Sequence, residues 1–139
     1  MAFPIASGKR RSRAGRLAVR AFTLIELIVV MAIVSLLLTL ALPRYFQTIE
    51  LSKETVLKEN LRTMRDTIDK FYGDTGRYPD SLEELVERKY LRAIPPDPIT
   101  EARDSWTIVA PDGDAKGRVY DVRSSAPGKT IDGKPFVEL

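Results

Sequence analysis

The longest apolar run of the chain lies near its N-terminal end and contains a single charged residue. It extends from Phe22 to Leu42, and its one charge is Glu26. At about 1.5 Å of rise per residue, a helix over this run is roughly 30 Å long, which matches the hydrocarbon core of a bilayer. The pattern therefore predicts a membrane-spanning helix.

After this run, apolar residues recur at helical spacing. Pro43 comes first, and because proline has no N–H it predicts a kink in the helix. Spacings of three and four then predict an amphipathic helix to about Tyr72. Its apolar positions are Phe46, Ile49, Leu57, Leu61, Met64, Ile68 and Phe71. We interpret this stripe as the spine of a domain core, with a solvated face formed by Lys53, Lys58, Arg62, Arg65, Asp66 and Asp69.

Turn-forming residues divide the remaining chain into short elements. The segment 73–76 breaks the long helix, and Ser81 with Glu84 forms a capping box that predicts a helix over 82–90. Three prolines over 95–98 exclude regular structure there. Strands are predicted over 105–110, 118–123 and 135–138. The predicted fold class is therefore α+β, with a long N-terminal helix packed on a small C-terminal antiparallel sheet.

The positive charge of the chain is concentrated before the apolar run. The net charge is +3, but six cations precede Phe22, so the rest of the chain carries −3. Those cations are Lys9, Arg10, Arg11, Arg13, Arg16 and Arg20. A basic arm next to a membrane helix favours a cytoplasmic N-terminus and an exported C-terminal part. Nucleic-acid binding, which a basic arm alone would also fit, is disfavoured.

The absence of Cys and His limits the kinds of catalytic and metal-binding site that the chain can form. The chain has no Cys and no His. It therefore has no disulfide, no thiolate zinc site and no nucleophilic triad that uses an imidazole base. A Ser–Lys or paired-carboxylate enzyme stays open, but the acids lie in predicted turns or on helix faces. We expect no catalytic site.

Two ordinary interpretations of the apolar run compete with a specialised one. A secretory signal peptide has a shorter apolar core and ends in an A-x-A site, which residues 40–44 do not provide. A plain signal anchor explains everything except Glu26, which costs about 2.5–3.5 kcal/mol at the bilayer centre. Glu26 can reach toward the cytoplasmic interface, or it can pair with a cation. Cleavage before Phe22 would place a new α-amine near it.

The residues around the start of the run carry a family resemblance. Ala21-Phe22-Thr23-Leu24-Ile25-Glu26-Leu27 resembles the leader junction of type IV pilins and pseudopilins. The resemblance implies that a prepilin peptidase cleaves between Ala21 and Phe22 and methylates the new amine. It also implies that Glu26 guides subunits into register and that Pro43 is the helix-kinking proline. The family usually has Gly where this chain has Ala21; alanine is also small, so we expect cleavage, at a reduced rate.

The resemblance implies three parts: a removed basic leader (1–21), a transmembrane and assembly helix (22–43), and a periplasmic head (44–139) that includes the amphipathic helix (44–72). It continues into the head through segments 71–79, 82–98 and 120–124, which are similar to those of G-type major pseudopilins. Ile99-Thr100 departs from the usual Trp-Gly pair.

The resemblance implies a structural subunit of a type II secretion pseudopilus that helps to drive protein export across the outer membrane. The alternative is a type IV pilus or DNA-uptake subunit, although no concentrated aromatic and basic patch is visible in the head sequence. The implied location is the bacterial inner membrane, with one membrane pass, a cytoplasmic N-terminus and a periplasmic head. Implied partners are copies of the chain, the prepilin peptidase, minor pseudopilins, an inner-membrane assembly platform and the lipid bilayer.

Calcium in the C-terminal loop, residues 124–136, is the one cofactor that the resemblance raises. Calcium takes six or more oxygen ligands. The loop offers one acid, Asp132, with the hydroxyls of Ser124, Ser125 and Thr130. Asp132-Gly133 is also an ordinary turn pair, and we favour the turn. The Asp112-Gly113-Asp114 cluster lacks the later ligands of an EF-hand and is interpreted as a hairpin turn.

Overall fold

The computed structural model describes residues 1–4, 8 and 21–139. Its elements are helix α1 (Leu24–Thr75), helix α2 (Leu82–Glu87), strand β1 (Trp106–Val109), strand β2 (Asp121–Ser124) and a 3-10 turn (Phe136–Glu138). They form two compact units, Met1–Thr39 and Leu40–Leu139. The α+β class, with one long helix and a small antiparallel sheet, is confirmed. The six cations of the basic arm lie outside the described residues, and the limits at 21 and 43 stay predictions.

In the first unit, the apolar part of α1 is exposed along its length. The helix is long and apolar enough to cross a membrane, and its most apolar window has a mean hydropathy of 2.7 with no residue buried. Two hydroxyls within it are satisfied by the helix backbone. Ser35 Oγ donates to Met31 O, and Thr39 Oγ1 donates to Ser35 O. These bonds lower the cost of placing hydroxyls in an apolar environment.

In the second unit, the amphipathic part of α1 forms one side of the core. Its buried apolar residues are Leu57, Leu61, Met64, Ile68 and Phe71, as the spacing predicts. They pack with Leu82, Leu85, Trp106, Val119, Val122, Ala126 and Phe136. Phe46 was predicted in the same stripe but is 59% exposed. Arg65 was placed on the solvated face, yet it is half-buried and its Nε donates to Asp121 Oδ1 at 2.7 Å.

The sheet consists of β1 and β2, paired antiparallel with Trp106 opposite Ser124 and Val109 opposite Asp121. The first strand agrees with the prediction, but the second begins later than predicted. The N–H groups of Arg118 and Val119 both donate to Pro79 O, which takes them away from strand pairing. The predicted strand over 135–138 is wrong: only an isolated bridge joins Lys129 and Pro135 before the 3-10 turn.

Helix α2 starts where the capping box predicts and ends earlier. Ser81 Oγ accepts from Glu84 N, and the Glu84 carboxylate accepts from Asp80 N, one residue before the position that a capping box uses. At the other end Lys89 has a positive φ of 64°, which the helix cannot continue through. The N–H groups of Tyr90 and Leu91 then donate to Leu85 O and close the helix.

Candidate functional site

The start of α1 has the geometry of a capped helix. Ala21 and Phe22 are exposed and precede the helix. Thr23 Oγ1 accepts a hydrogen bond from Glu26 N at 3.2 Å, and Thr23 O accepts from Leu27 N at 3.2 Å. Thr23 is therefore the N-cap of α1. We did not predict this role from the sequence, although Thr23-Leu24-Ile25-Glu26 has the capping-box spacing that identifies it.

Glu26 lies in the first turn of this helix with its side chain exposed. The helix N-terminus carries partial positive charge, so a carboxylate there is favoured by about 0.3–1 kcal/mol. Within residues 1–4, 8 and 21–139, no cation pairs with the Glu26 carboxylate. Two explanations of this acid therefore remain. Glu26 is an acid favoured by the positive charge of the helix N-terminus, or it is a charge that needs a partner when the helix enters an apolar environment.

The apolar surface around Glu26 continues to residue 42. It is formed by Leu24, Ile25, Leu27, Ile28, Val29, Val30, Met31, Ile33, Val34, Leu36, Leu37, Leu38, Leu40 and Leu42, all at least 44% exposed. Pro43 lies inside α1, which continues past it, and the predicted kink stays a prediction. An apolar helical surface of this length needs lipid or other apolar helices around it.

A cluster of charges and aromatic rings joins the end of α1 to α2. Arg77 donates to both carboxylate oxygens of Glu84, and its guanidinium lies 5.2 Å from the centre of the Phe71 ring. Arg88 also contacts this carboxylate, with Nε 3.3 Å from Glu84 Oε1. The hydrogen bonds from Arg77 are the main cause that lowers the pKa of Glu84 below its usual 4.5. The cluster fixes the loop between the two helices.

Three tyrosines that are distant in sequence form an aromatic cluster on the head. The rings of Tyr72 and Tyr78 stack at 4.5 Å, and Tyr120 meets Tyr78 edge-on at 5.4 Å. Burial is the main cause that raises the pKa of Tyr78, and the neighbouring phenols and Asp69 raise it further. We missed this cluster in the sequence because only the fold brings residue 120 to the end of α1.

Asp132 lies at the exposed tip of a tight turn. Thr130 N donates to Lys134 O and Gly133 N donates to Thr130 O, which closes the turn around it. Thr130 Oγ1 accepts from Lys134 N, Ser124 Oγ donates to Asp97, and Ser125 Oγ donates to Ser105 O. The described residues contain no group of three or more acids that could hold a metal ion. Asp132 is therefore the one acid of the C-terminal loop, and the three hydroxyls near it are engaged in hydrogen bonds within the protein.

Comparisons with known proteins agree with the geometry of the helix start. Residues 16–42 match a family model described as the prokaryotic N-terminal methylation motif. The chain is 29% identical over 106 residues to type II secretion system core protein G of Pseudomonas aeruginosa, covering 65% of this chain and 70% of that protein. It is 32% identical over 75 residues to core protein G of Xanthomonas campestris pv. campestris, covering 54% of this chain and 50% of that protein.

A type IV pilin is also similar. Type IV major pilin protein PilA of Myxococcus xanthus is 35% identical over 66 residues, which are 48% of this chain and 30% of PilA. The chain thus spans half or less of two of these three relatives. No solved structure matches the chain significantly. The chain thus carries a prokaryotic N-terminal methylation motif and is similar to PilA and to core protein G of two bacteria, and the longest of these three matches is to core protein G of Pseudomonas aeruginosa.

Proposed function

We propose that this chain is a structural subunit of a type II secretion pseudopilus, without catalytic activity. It is made as a single-pass inner-membrane precursor with a cytoplasmic N-terminus and a periplasmic head. A prepilin peptidase cleaves it between Ala21 and Phe22 and methylates the Phe22 amine. Copies of the mature chain then polymerise through α1, with minor pseudopilins and an inner-membrane platform as partners, and the growing filament helps to export proteins across the outer membrane.

The single observation that carries this proposal is the exposed apolar part of α1 with one acid in its first turn. A lipid anchor explains the apolar surface but gives the acid no role. In a filament core, the same helices exchange lipid for one another, and Ala32, Ser35 and Ala41 allow close approach. The intrahelical bond of the Ser35 hydroxyl leaves it satisfied after that exchange. Similarity to core protein G in two bacteria supports the type II secretion assignment.

In the filament, Glu26 pairs with the α-amine that cleavage creates at Phe22, either in its own chain or in a neighbour. A carboxylate buried among apolar helices is costly unless it is paired, and removing one partner of a buried pair costs about 3–5 kcal/mol. A subunit in the wrong register would bury Glu26 without its partner. Glu26 can therefore lie at the membrane interface in the precursor and favour subunits in the correct register in the polymer.

The first test measures the mass and N-terminal residue of the membrane-extracted chain, with and without prepilin peptidase. We expect a peptidase-dependent product that begins with methylated Phe22. A chain that keeps its leader, or that is cut after the apolar run, would contradict the proposal, because the amine needed by Glu26 would not form.

The second test separates the two explanations of Glu26 with two substitutions. Glu26→Ala removes both the charge and most of the side chain, whereas Glu26→Gln keeps the shape of the side chain and removes only the charge. We expect both variants to insert and to be cleaved, with an assembly constant reduced roughly a hundredfold or more. Val30→Ala, an exposed apolar neighbour in the same helix, is the matched control: it removes apolar contacts but no charge and should reduce assembly far less. Normal filaments from Glu26→Gln would show that the charge of Glu26 is not paired in the filament.

A type IV pilus subunit is the second candidate, and the similarity to PilA favours it. Deletion of the gene in its own host distinguishes the two. A pseudopilus subunit is required for secretion, so substrates should accumulate in the periplasm while surface pili persist. The opposite result would identify a pilus subunit. DNA uptake has weaker support, because the tyrosine cluster supplies aromatic rings but has Asp69 beside it, and an acid repels phosphate.

A further inference from the structure

The C-terminal loop is attached to the rest of the head by two buried acids that lie outside it. These are Asp97, which is fully buried, and Glu54, which is 5% exposed. From their contacts we propose that the loop is held in place by the protein's own carboxylates, with no metal ion, and that the folded head is independent of calcium. This inference concerns the stability of the head and does not depend on which filament the chain forms.

Asp97 holds the beginning of the loop. Its Oδ2 accepts a hydrogen bond from Ser124 Oγ at 2.5 Å, and its Oδ1 accepts from Ile99 N at 2.8 Å. Ser124 Oγ in turn accepts from Ala126 N at 3.0 Å. Buried carboxylates are stable only when donors surround them, and this one has donors on both oxygens. Asp97 therefore ties the end of β2 and the loop to the proline-rich segment.

Glu54 holds the middle of the loop from α1. Its Oε2 accepts from Ile131 N at 2.9 Å, and its Oε1 accepts from Lys58 Nζ at 2.6 Å. The hydrogen bond from Lys58 is the first cause that lowers the pKa of Glu54, and the bond from Ile131 is the second. Glu54 therefore remains ionised and binds the loop backbone directly through the Ile131 amide. It thereby joins α1 to the turn around Asp132.

These contacts leave the loop few free side-chain oxygens for a cation. The hydroxyls of Ser124, Ser125 and Thr130 are already engaged in hydrogen bonds within the protein. The Glu54 carboxylate already binds the ammonium group of Lys58. The hydrogen bond with Glu54 raises the pKa of Lys58, and the negative charge of Asp132 raises it further. A cation at the turn would have to compete with Lys58 for both acids. Asp97 and the pair of Glu54 with Lys58 therefore hold the loop in place of calcium.

The test uses the full chain purified in detergent and measures its thermal unfolding in EGTA and in excess calcium chloride. We expect the same Tm in both. Asp97→Ala should lower Tm by roughly 5 °C or more in either condition, whereas Asp132→Ala, which also removes one acid, should leave it unchanged. A saturable rise in Tm with calcium that disappears in Asp132→Ala would overturn the proposal.

Milder variants keep the test decisive if Asp97→Ala does not fold. Ser124→Ala removes the hydrogen bond to Asp97 and the acceptor of Ala126 N but keeps Asp97 itself, and Glu54→Ala removes the acceptor of Ile131 N. Hydrogen exchange should show at least tenfold faster exchange of the Ile131 amide in Glu54→Ala than in the wild type, with no recovery in calcium. Restored protection on adding calcium, or unchanged exchange in Glu54→Ala, would contradict the inference.

Discussion

Glu54 and Glu84 are both kept ionised by a cationic side chain that donates directly to the carboxylate. Lys58 is the donor for Glu54 and Arg77 is the donor for Glu84, and each lowers the pKa of its partner from the usual 4.5. A carboxyl group whose folded pKa is lowered stabilises the fold above its unfolded pKa. The contribution is lost as the pH falls through the lower, folded value.

The first prediction concerns the stability of the head in acid, because lowered carboxyl pKa values mean that stability is lost as the pH falls. The Tm of the full chain should change little from about pH 7 to about pH 5 and should fall below pH 4.5, as Glu54 and Glu84 become protonated. Thermal unfolding across this pH range measures it. Glu84→Gln should flatten the acid limb of the curve, and Glu83→Gln, on the exposed face of α2, is its control. An unchanged acid limb in Glu84→Gln would show that the pair with Arg77 does not stabilise the head.

Residues with a local sequence pattern could be predicted, whereas residues whose partners are distant in sequence could not. The junction Ala21-Phe22, Glu26 and the apolar run are contiguous in sequence, so a local pattern is enough to propose them, and the roles of Ala21, Phe22 and Glu26 stay predictions. Glu54 looks like one more polar residue of an amphipathic helix, because its partner, the Ile131 amide, is 77 residues away. Asp97 looks like part of a proline-rich turn until the fold brings Ser124 to it. Long-range partners of this kind leave no local signal.

At the scale of elements, starts were predicted better than ends. Caps act through side chains close in sequence, so Ser81 identified the start of α2. The end of α2 depends on the left-handed backbone at Lys89. The start of β2 depends on Pro79 O, which accepts hydrogen bonds from the N–H groups of Arg118 and Val119. The predicted strand after Pro135 is a 3-10 turn, because Glu138 N donates to Pro135 O and Leu139 N donates to Phe136 O in place of a neighbouring strand.

The prediction at this scale concerns the cap of α2. Ser81→Ala removes the acceptor for Glu84 N and should destabilise the head by about 0.5–2 kcal/mol. Denaturant unfolding of the full chain measures the change. Ser52→Ala is the matched control, because the Ser52 hydroxyl bonds to Thr48 O inside α1 and alanine is a better helix former. Ser52→Ala should be neutral or slightly stabilising, and equal losses in both variants would argue against the cap.

For the whole molecule, the α+β class was predictable because two different hydrophobic patterns follow one another. A long apolar run with a single charge predicts a helix for an apolar medium, and an amphipathic stripe predicts a helix on a folded core. The structure supports both: the first part of α1 is exposed throughout, and five residues of the stripe are buried. The path of the C-terminal loop was not predictable, since it is set by polar contacts between distant segments.

The prediction at this scale tests how much the core depends on the C-terminal segment. Phe136 is 8% exposed and belongs to the core cluster, so Phe136→Ala should destabilise the head by about 3–5 kcal/mol. Val137→Ala, its 48% exposed neighbour, should change stability by less than about 0.5 kcal/mol. Limited proteolysis and thermal unfolding of both variants measure this difference. Similar behaviour of the two variants would place Phe136 outside the cooperative core.

The attachment of Ile131 to Glu54 and the burial of Phe136 also determine when the head can fold during synthesis. The ribosome makes α1 before it makes residues 131–136. The carboxylate of Glu54 and the core face of α1 therefore cannot be covered until those later residues have been synthesised. Until then the apolar stripe of α1 is open to chaperones and proteases, and the head cannot complete its core while its C-terminal loop is missing.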